Sequence, residues 1–253
     1  GCMMEGISHE VCSLAGTLGL GKLIALYDDN GISIDGEIEG WFTDDTAKRF
    51  RAYGWHVVDQ IDGHDPESVS SALKAAHADT KRPTLILCKT IIGWGAPNKQ
   101  GTAATHGAAL GAEEVAAARK ELGWDYPPFE VPEAIRNAWD AKARGNKLEA
   151  EWQSRFDAYR ASYPGLADEY QRRMEGRLPA EWDNQAANVI EDIVGEAKDS
   201  ATRKASLRAL EGYAPFLPEL IGGSADLTGS NNTLHRRSTV ISADNAGGDY
   251  LYF

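Results

Sequence analysis

The run Thr84-Leu85-Ile86-Leu87-Cys88 decides the fold of this chain. It is short and almost wholly apolar, which is typical of a strand buried on both faces of a sheet. Two similar runs precede it, at residues 22–27 and 55–58. The sequence therefore predicts at least three strands in the interior of one sheet.

Helical segments separate these strands. The pattern from Ser8 onward predicts a first helix, and residues 46–53 predict a second. Asp65, Pro66 and Glu67 predict the capped start of a third helix, which runs to about Ala78. Strands that alternate with helices at this spacing indicate right-handed βαβ crossovers. The predicted fold class is α/β, with a parallel sheet and helices on both of its faces.

Composition excludes several classes of function. The 253 residues include 26 Lys and Arg against 38 Asp and Glu, for a net charge of −12, and 42% are hydrophobic. This acidic balance argues against nucleic acid as a partner, because a phosphate backbone requires a basic face. No apolar run approaches the roughly 18 residues that would span a bilayer, so we expect a cytoplasmic protein with no membrane partner. The three cysteines are odd in number and lack CxxC spacing, which predicts reduced, buried thiols.

The composition of the sequence changes after Gly93. Residues 94–109 predict a long functional loop, and residues 113–176 are mainly helical and charged. The stretch 176–183 is the best boundary candidate, followed by a helix over 184–213 and a strand over 219–223. The chain opens on Gly1 without a methionine and stops at Phe253 in an apolar run, so we expect the interior of a longer polypeptide.

Three segments carry candidate chemistry. Asp28-Asp29-Asn30-Gly31 follows a predicted buried strand, where α/β sheets collect ligands, although the same residues also suit a simple turn. His106 lies among small residues, where it can bond a substrate hydroxyl or phosphate or else cap a helix. Arg203 and the loop 222–230 can clamp a sugar phosphate or form an ordinary surface. The other five histidines are interpreted as structural or solvated.

These segments together resemble the motifs of one family. In chain order they are the stretches 1–10, 27–36, 88–93, 105–107 and 222–227, which read GCMMEGISHE, YDDNGISIDG, CKTIIG, THG and GGSADL. They are similar to motifs of transketolase, closest to the bacterial type, and the resemblance covers essentially the whole chain.

The resemblance implies a thiamine-diphosphate-binding fold. Residues 1–175 would be the C-terminal part of a pyrophosphate-binding domain with a helical extension, 176–186 a linker, and 187–253 the start of a pyrimidine-binding domain. It implies a homodimeric transferase of the pentose phosphate pathway with its active site at the dimer interface. The reaction would move a two-carbon ketol group from a ketose phosphate to an aldose phosphate.

The resemblance also implies roles for individual residues. Gly1 and Asn30 would border the thiamine diphosphate motif, and the Asn30 side chain and the Ile32 carbonyl are similar to ligands of Mg²⁺ or Ca²⁺, hard cations that favour oxygen donors. His106 matches a catalytic residue facing cofactor and substrate. The remaining assignments are Asp226 at the cofactor, Arg203 and Ser230 at the sugar phosphate, and Glu5 and Glu10 near the subunit interface.

Two residues of the family pattern fall outside the chain. A metal-binding aspartate would lie immediately before Gly1, and a catalytic glutamate would lie just beyond Phe253. We therefore expect residues 1–253 alone to bind thiamine diphosphate weakly and to show no ketol transfer.

Two alternatives to transketolase remain open. One is another thiamine-diphosphate enzyme, such as dihydroxyacetone synthase, a phosphoketolase or deoxyxylulose-phosphate synthase, although the motifs at 105–107 and 223–226 favour transketolase over the last two. The other is a non-catalytic half-subunit that needs a partner chain.

Overall fold

The computed structural model describes all residues, 1–253. The chain forms two compact units, Gly1–Glu130 and Val131–Phe253. This division into compact units differs from the predicted domain boundaries at 175 and 187, which concern family domains and stay a prediction.

The first unit is built on a parallel sheet. The five strands of this unit are β1 (Ile24–Asp29), β2 (Ile32–Ser33), β3 (Gly36–Glu37), β4 (His56–Asp62) and β5 (Thr84–Lys89). The strands β1, β5 and β4 form the parallel sheet in that order, and β2 and β3 form a small antiparallel pair. The predicted run 84–88 is thus the middle strand of this sheet, with a neighbour on each side.

Strand β4 is longer than the predicted run 55–58. An irregularity in its pairing with β5 lies between Val58 and Ile61, and Gln60 there adopts a left-handed φ of 57°. Such a bulge lets a strand continue past residues that break the apolar pattern. Pairing resumes at Ile61 and Asp62, so β4 ends level with the other two strands.

The first unit also contains four α-helices. They are α1 (Gly6–Thr17), α2 (Thr46–Ala52), α3 (Pro66–Ala78) and α4 (Ala112–Glu121). The predicted start of α3 is confirmed, because the Asp65 carboxylate accepts the backbone N–H groups of Glu67 at 3.2 Å and Ser68 at 3.1 Å. These bonds satisfy donors that lack a partner within the helix.

Strand β5 has a hydrophobic cluster on each face, because successive side chains point to opposite sides of a sheet. Leu85 and Leu87 pack in the first cluster with one residue each from α1 and α2 and with the residue before β4, namely Ala15, Phe50 and Trp55. Ile86 and Cys88 pack in the second cluster with two alanines of α3, Ala72 and Ala76. The prediction of a parallel sheet with helices on both faces is confirmed.

The second unit is mainly helical. Its elements are α5 (Glu133–Trp139), α6 (Lys142–Ser162), α7 (Pro164–Met174), α8 (Trp182–Gly195), α9 (Thr202–Tyr213), β6 (Gly222–Ser224), α10 (Thr228–Asn231) and β7 (Tyr250–Tyr252). The single helix predicted over 184–213 is wrong, since Ala197 takes a left-handed φ of 48° between α8 and α9. The predicted strand 219–223 is displaced to β6, which pairs in parallel with β7.

All three cysteines are free thiols, but their burial differs from the prediction. Cys88 is buried in β5 and Cys12 is half-buried, and burial raises the pKa of both thiols. Cys2 is exposed, so the prediction of burial is wrong there, because it lies in a short 3₁₀ turn before α1. None of the helices combines the length and the apolar composition that crossing a membrane would require.

Candidate functional site

The carboxyl ends of the three parallel strands form one edge of the sheet. Asp29, Lys89 and Asp62 lie level with one another at this edge in the register of the strands. Lys89 forms an ion pair with Asp29. Ligands of open α/β sheets bind at this kind of edge, so the predicted position of the site agrees with the fold.

Asn30 is held in a fixed orientation directly after β1. Its side-chain oxygen accepts the backbone N–H of Ile32 at 2.9 Å, and its Nδ2 donates to Asp28 at 3.3 Å. The side chain therefore shapes the turn and presents an amide oxygen with a free lone pair. Residues 28–31 can therefore form a turn and also offer an oxygen ligand to a cation.

Asp28 joins the ends of two strands. Thr90, the residue after β5, donates its hydroxyl to the Asp28 carboxylate. Asp28 is thus bonded to Asn30 on one side and to Thr90 on the other. This connection fixes the turn after β1 against the segment that leaves β5.

The loop that carries His106 packs against the same segment. Gly101 N–H donates to the Ile92 carbonyl at 2.8 Å. A Cβ on Gly93 would lie 2.6 Å from Thr105, so a side chain there would push the loop away. His106 follows Thr105 directly and is exposed. The structure therefore brings the His106 loop to the end of β5.

The far side of this loop is fastened to α4. The carboxylate of Glu114 is buried and accepts both the backbone N–H and the side-chain amide of Asn98, each at 2.9 Å. Hydrogen bonding from the Asn98 side chain lowers the pKa of Glu114 below its ordinary value. Lys99 adds a bond from Nζ to the Leu110 carbonyl at 2.7 Å. Glu114 was not predicted as an anchor, because an acidic residue in a first helical turn is not a distinctive signal.

His64 was also missed as a residue of this edge. Its Nε2 lies 2.8 Å from the backbone N of Ile91, and its ring stacks on Trp94 with 4.2 Å between centroids. The strand before it was predicted to end at Val58, which placed His64 well beyond the sheet. The bulge extends β4 to Asp62 and brings His64 level with the end of β5.

Gly1 and two acidic residues lie near the start of the first unit. The Gly1 carbonyl accepts the Met4 N–H at 2.8 Å, and Gly1, Glu5 and Glu10 are all exposed. Their roles at the cofactor and at a subunit interface stay predictions.

Three further candidates belong to the second unit. Asp226 adopts a left-handed φ of 53° after β6, and its N–H donates to the Phe253 carbonyl at 2.9 Å. Ser230 on α10 donates weakly to the Leu227 carbonyl at 3.4 Å, and Arg203 in the first turn of α9 is exposed and forms no ion pair. Backbone strain of this kind recurs at functional sites, and the roles of the three residues stay predictions.

The donor set at the strand ends suits a hard cation. No three His, Cys, Asp or Glu side chains converge to hold a metal by themselves. The oxygens available are the Asn30 amide, the Ile32 carbonyl and nearby carboxylates, the donors that Mg²⁺ and Ca²⁺ favour. A cation there would need further oxygens from its ligand, which a diphosphate has.

Comparison with known proteins assigns the fold to one class. Residues 1–179 match the family described as "Transketolase, thiamine diphosphate binding domain". This match includes the whole first unit and continues into the second, and it assigns the parallel sheet to the thiamine-diphosphate-binding fold class. The chain belongs to the transketolase family.

Individual relatives agree along the whole chain. The chain is 56% identical over 253 residues to transketolase 2 of Vibrio parahaemolyticus and 55% identical to transketolase 2 of Escherichia coli. Each alignment covers all of this chain and 38% of the relative. A Pichia stipitis transketolase in complex with sedoheptulose-7-phosphate superimposes with a TM-score of 0.86 at 38% identity, with 100% of this chain and 38% of that chain covered. The Leishmania mexicana transketolase also gives 0.86, at 36% identity, with 100% of this chain and 37% of that chain covered. The chain thus spans a little over a third of these proteins.

Proposed function

We propose that this chain forms part of a transketolase that transfers a two-carbon ketol group from a ketose phosphate to an aldose phosphate. The observation that carries the proposal is the edge of the sheet where Asn30, Asp28 and the His106 loop meet, in a chain that matches transketolases over its full length. The proposal includes a cytoplasmic homodimer acting in the pentose phosphate pathway.

In this proposal the residues after β1 bind the cofactor. The Asn30 amide oxygen and the Ile32 carbonyl would hold Mg²⁺ or Ca²⁺, and Gly1, His106 and Asp226 would complete the cofactor-binding set. Thiamine diphosphate, when bound, supplies the nucleophilic carbon and the electron sink that the protein's own side chains lack. The fixed orientation of the Asn30 amide supports this role, because its oxygen is already positioned when the cation binds.

In this proposal three residues contact the sugar phosphates. Arg203 offers a planar cation and Ser230 a hydroxyl, which together suit a phosphate. His106 bonds the reacting part of the substrate and acts as the catalytic histidine, exchanging a proton through a ring nitrogen. Its exposure, on a loop packed against the sheet, leaves it accessible to substrate.

The test is a full-length chimera in which residues 1–253 replace the equivalent segment of the Escherichia coli transketolase 2. We expect the chimera to transfer a ketol group between a ketose phosphate and an aldose phosphate. Asn30→Ala should weaken Mg²⁺-dependent binding of thiamine diphosphate in calorimetry by tenfold or more, on the order of known losses around metal sites. Asn30→Asp keeps the oxygen that accepts the Ile32 N–H and should bind better than Asn30→Ala.

The matched control is Asn137→Ala, which removes an exposed amide on α5. Its cofactor binding should equal that of the unsubstituted chimera. A folded chimera without ketol transfer would contradict the proposed activity, and equal cofactor affinity for Asn30→Ala and Asn137→Ala would contradict the assignment of Asn30.

A further inference from the structure

His64 lies where the end of β4 meets the segment that leaves β5. The turn before it is fixed, because Gly63 N–H donates to the Lys89 carbonyl at 2.9 Å and His64 N–H donates to the Asp62 carboxylate at 2.9 Å. The imidazole is half-buried and is directed at the chain that follows β5. Its position is therefore set by the sheet rather than by a mobile loop.

The ring makes two different contacts with that segment. Nε2 accepts the backbone N–H of Ile91 at 2.8 Å, so this nitrogen carries a lone pair and the ring proton is on Nδ1. The same ring stacks on Trp94 at 4.2 Å with 19° between the planes. One side chain thus holds both the start and the end of residues 91–94.

Residues 91–94 in turn support the loop of His106. Ile92 accepts the N–H of Gly101, and Gly93 packs closely against Thr105, the neighbour of His106. A displacement of residues 91–94 would pass to the loop through these two contacts. The path from His64 to His106 consists of a hydrogen bond, a stack and a close backbone approach.

We propose that His64 is a positioning residue for His106, which it places by fixing residues 91–94 through the Ile91 N–H and the Trp94 ring. The consequence for catalysis rests on the proposed function. Misplacement of a reacting group by about 1 Å can cost roughly a hundredfold in rate. Loss of the acceptor at His64 should therefore lower turnover through a displacement of His106.

Two substitutions separate the contacts of His64. His64→Phe keeps an aromatic ring against Trp94 and removes the acceptor, whereas His64→Gln offers an amide oxygen to the Ile91 N–H and removes the ring. His77→Phe is the control, because His77 is exposed on α3 and lies away from the strand ends. All are made in the full-length chimera described above.

We expect His64→Phe to lower kcat by about tenfold or more and to change the affinity for thiamine diphosphate much less, because residues 91–94 contact the His106 loop directly and reach Asn30 only through Thr90 and Asp28. His64→Gln should recover most of this loss, and His77→Phe should behave as the unsubstituted chimera. Hydrogen exchange should show faster exchange of the Ile91 amide in His64→Phe than in His64→Gln. Thermal unfolding midpoints show whether each variant is folded.

The outcomes distinguish this inference from the proposed function. A chimera that is folded but inactive contradicts the proposed function. The exchange rate of the Ile91 amide in the two His64 variants then tests only whether His64 fixes residues 91–94. An active chimera in which His64→Phe keeps its kcat overturns the inference and leaves the proposed function standing. Equal losses in His64→Phe and His64→Gln would also overturn it, because the acceptor would then have no role.

Discussion

In the first compact unit strand β5 is buried along five of its six residues, whereas in the second unit the 21-residue helix α6 has no buried residue. The first unit is organised by apolar side chains on two faces of a sheet. In the second unit the contacts of α6 and α7 are largely aromatic and ionic. Trp152 stacks on Phe156 at 5.1 Å, and Arg172 is bonded to the carboxylates of Glu169 and Glu219.

The difference bears on where chemistry can be placed precisely. A side chain at the end of a buried strand inherits the rigidity of the sheet, since the core around it is close-packed. A long exposed helix has no such support and depends on pairs of polar groups that water competes for. The candidate residues at the strand ends, Asn30 above all, therefore have better-defined positions than a residue on α6 would have.

The largest loss of stability is expected from a pair of leucines, one in each unit, that differ in burial. Leu85 of β5 is fully buried, whereas Leu148 of α6 is 58% exposed. Leu85→Ala should lower the free energy of unfolding by about 2–5 kcal/mol, because it leaves a cavity in the core. Leu148→Ala should change it by less than about 0.5 kcal/mol. Equilibrium unfolding of the 253-residue chain in urea measures both, and similar losses would break the comparison.

An intermediate effect is expected at the start of α3. Asp65→Ala removes the acceptor for two backbone N–H groups and should cost about 1 kcal/mol in the free energy of unfolding. The control is Asp140→Ala before α6, where the carboxylate accepts only the Lys142 N–H at 2.9 Å. Urea unfolding should rank Asp65→Ala as the more damaging change, and the reverse order would show that α3 does not depend on its cap.

The smallest effect is expected from the partly exposed ion pairs of Glu169, whose contribution is present at neutral pH and is lost in acid. Hydrogen bonds from Arg172 and then Arg173 lower the pKa of Glu169 from 4.5 to about 2. A lowered pKa means that the stabilisation is fully present above pH 4.5 and is lost as the pH falls toward 2. The thermal midpoint should therefore decline over this window, and Glu169→Gln should decline less steeply.

The control for the acid window is Glu149→Gln, since Glu149 lies exposed on α6 and forms no ion pair. It should leave the acid dependence unchanged. If Glu169→Gln and Glu149→Gln follow the same curve, the ion pairs of α7 do not stabilise the second unit.

Much of the first unit was predictable from local patterns. The apolar runs located β1 and β5, and Asp65 with Pro66 located the start of α3, because these signals depend only on neighbouring residues. The end of β4 was not predictable, since Asp59 and Gln60 interrupt the apolar run and only pairing with β5 shows that the strand continues. The break between α8 and α9 was marked in the sequence by Gly195, the last residue of α8, but a single glycine is also tolerated inside a helix, so the predicted helix continued to Tyr213.

The candidate site divides in the same way. Asn30 and His106 could be singled out because they lie among turn residues and small residues that mark functional loops. His64, Thr90 and Glu114 could not, because their contacts join residues between 16 and 62 positions apart. Contacts over such separations depend on how the strands are ordered, which periodicity alone does not show.

By itself the sequence determined the α/β class, the places of the three apolar strands along the chain and the family, since apolar periodicity, helix caps and motifs are local properties. Only the tertiary structure decided that Asp28 joins Asn30 to Thr90 and that His64 supports the segment beneath the His106 loop. The physical reason is that β1, β5 and β4 are adjacent in an order that differs from their order along the chain. Their carboxyl ends, and the side chains that follow them, meet only once the sheet has formed.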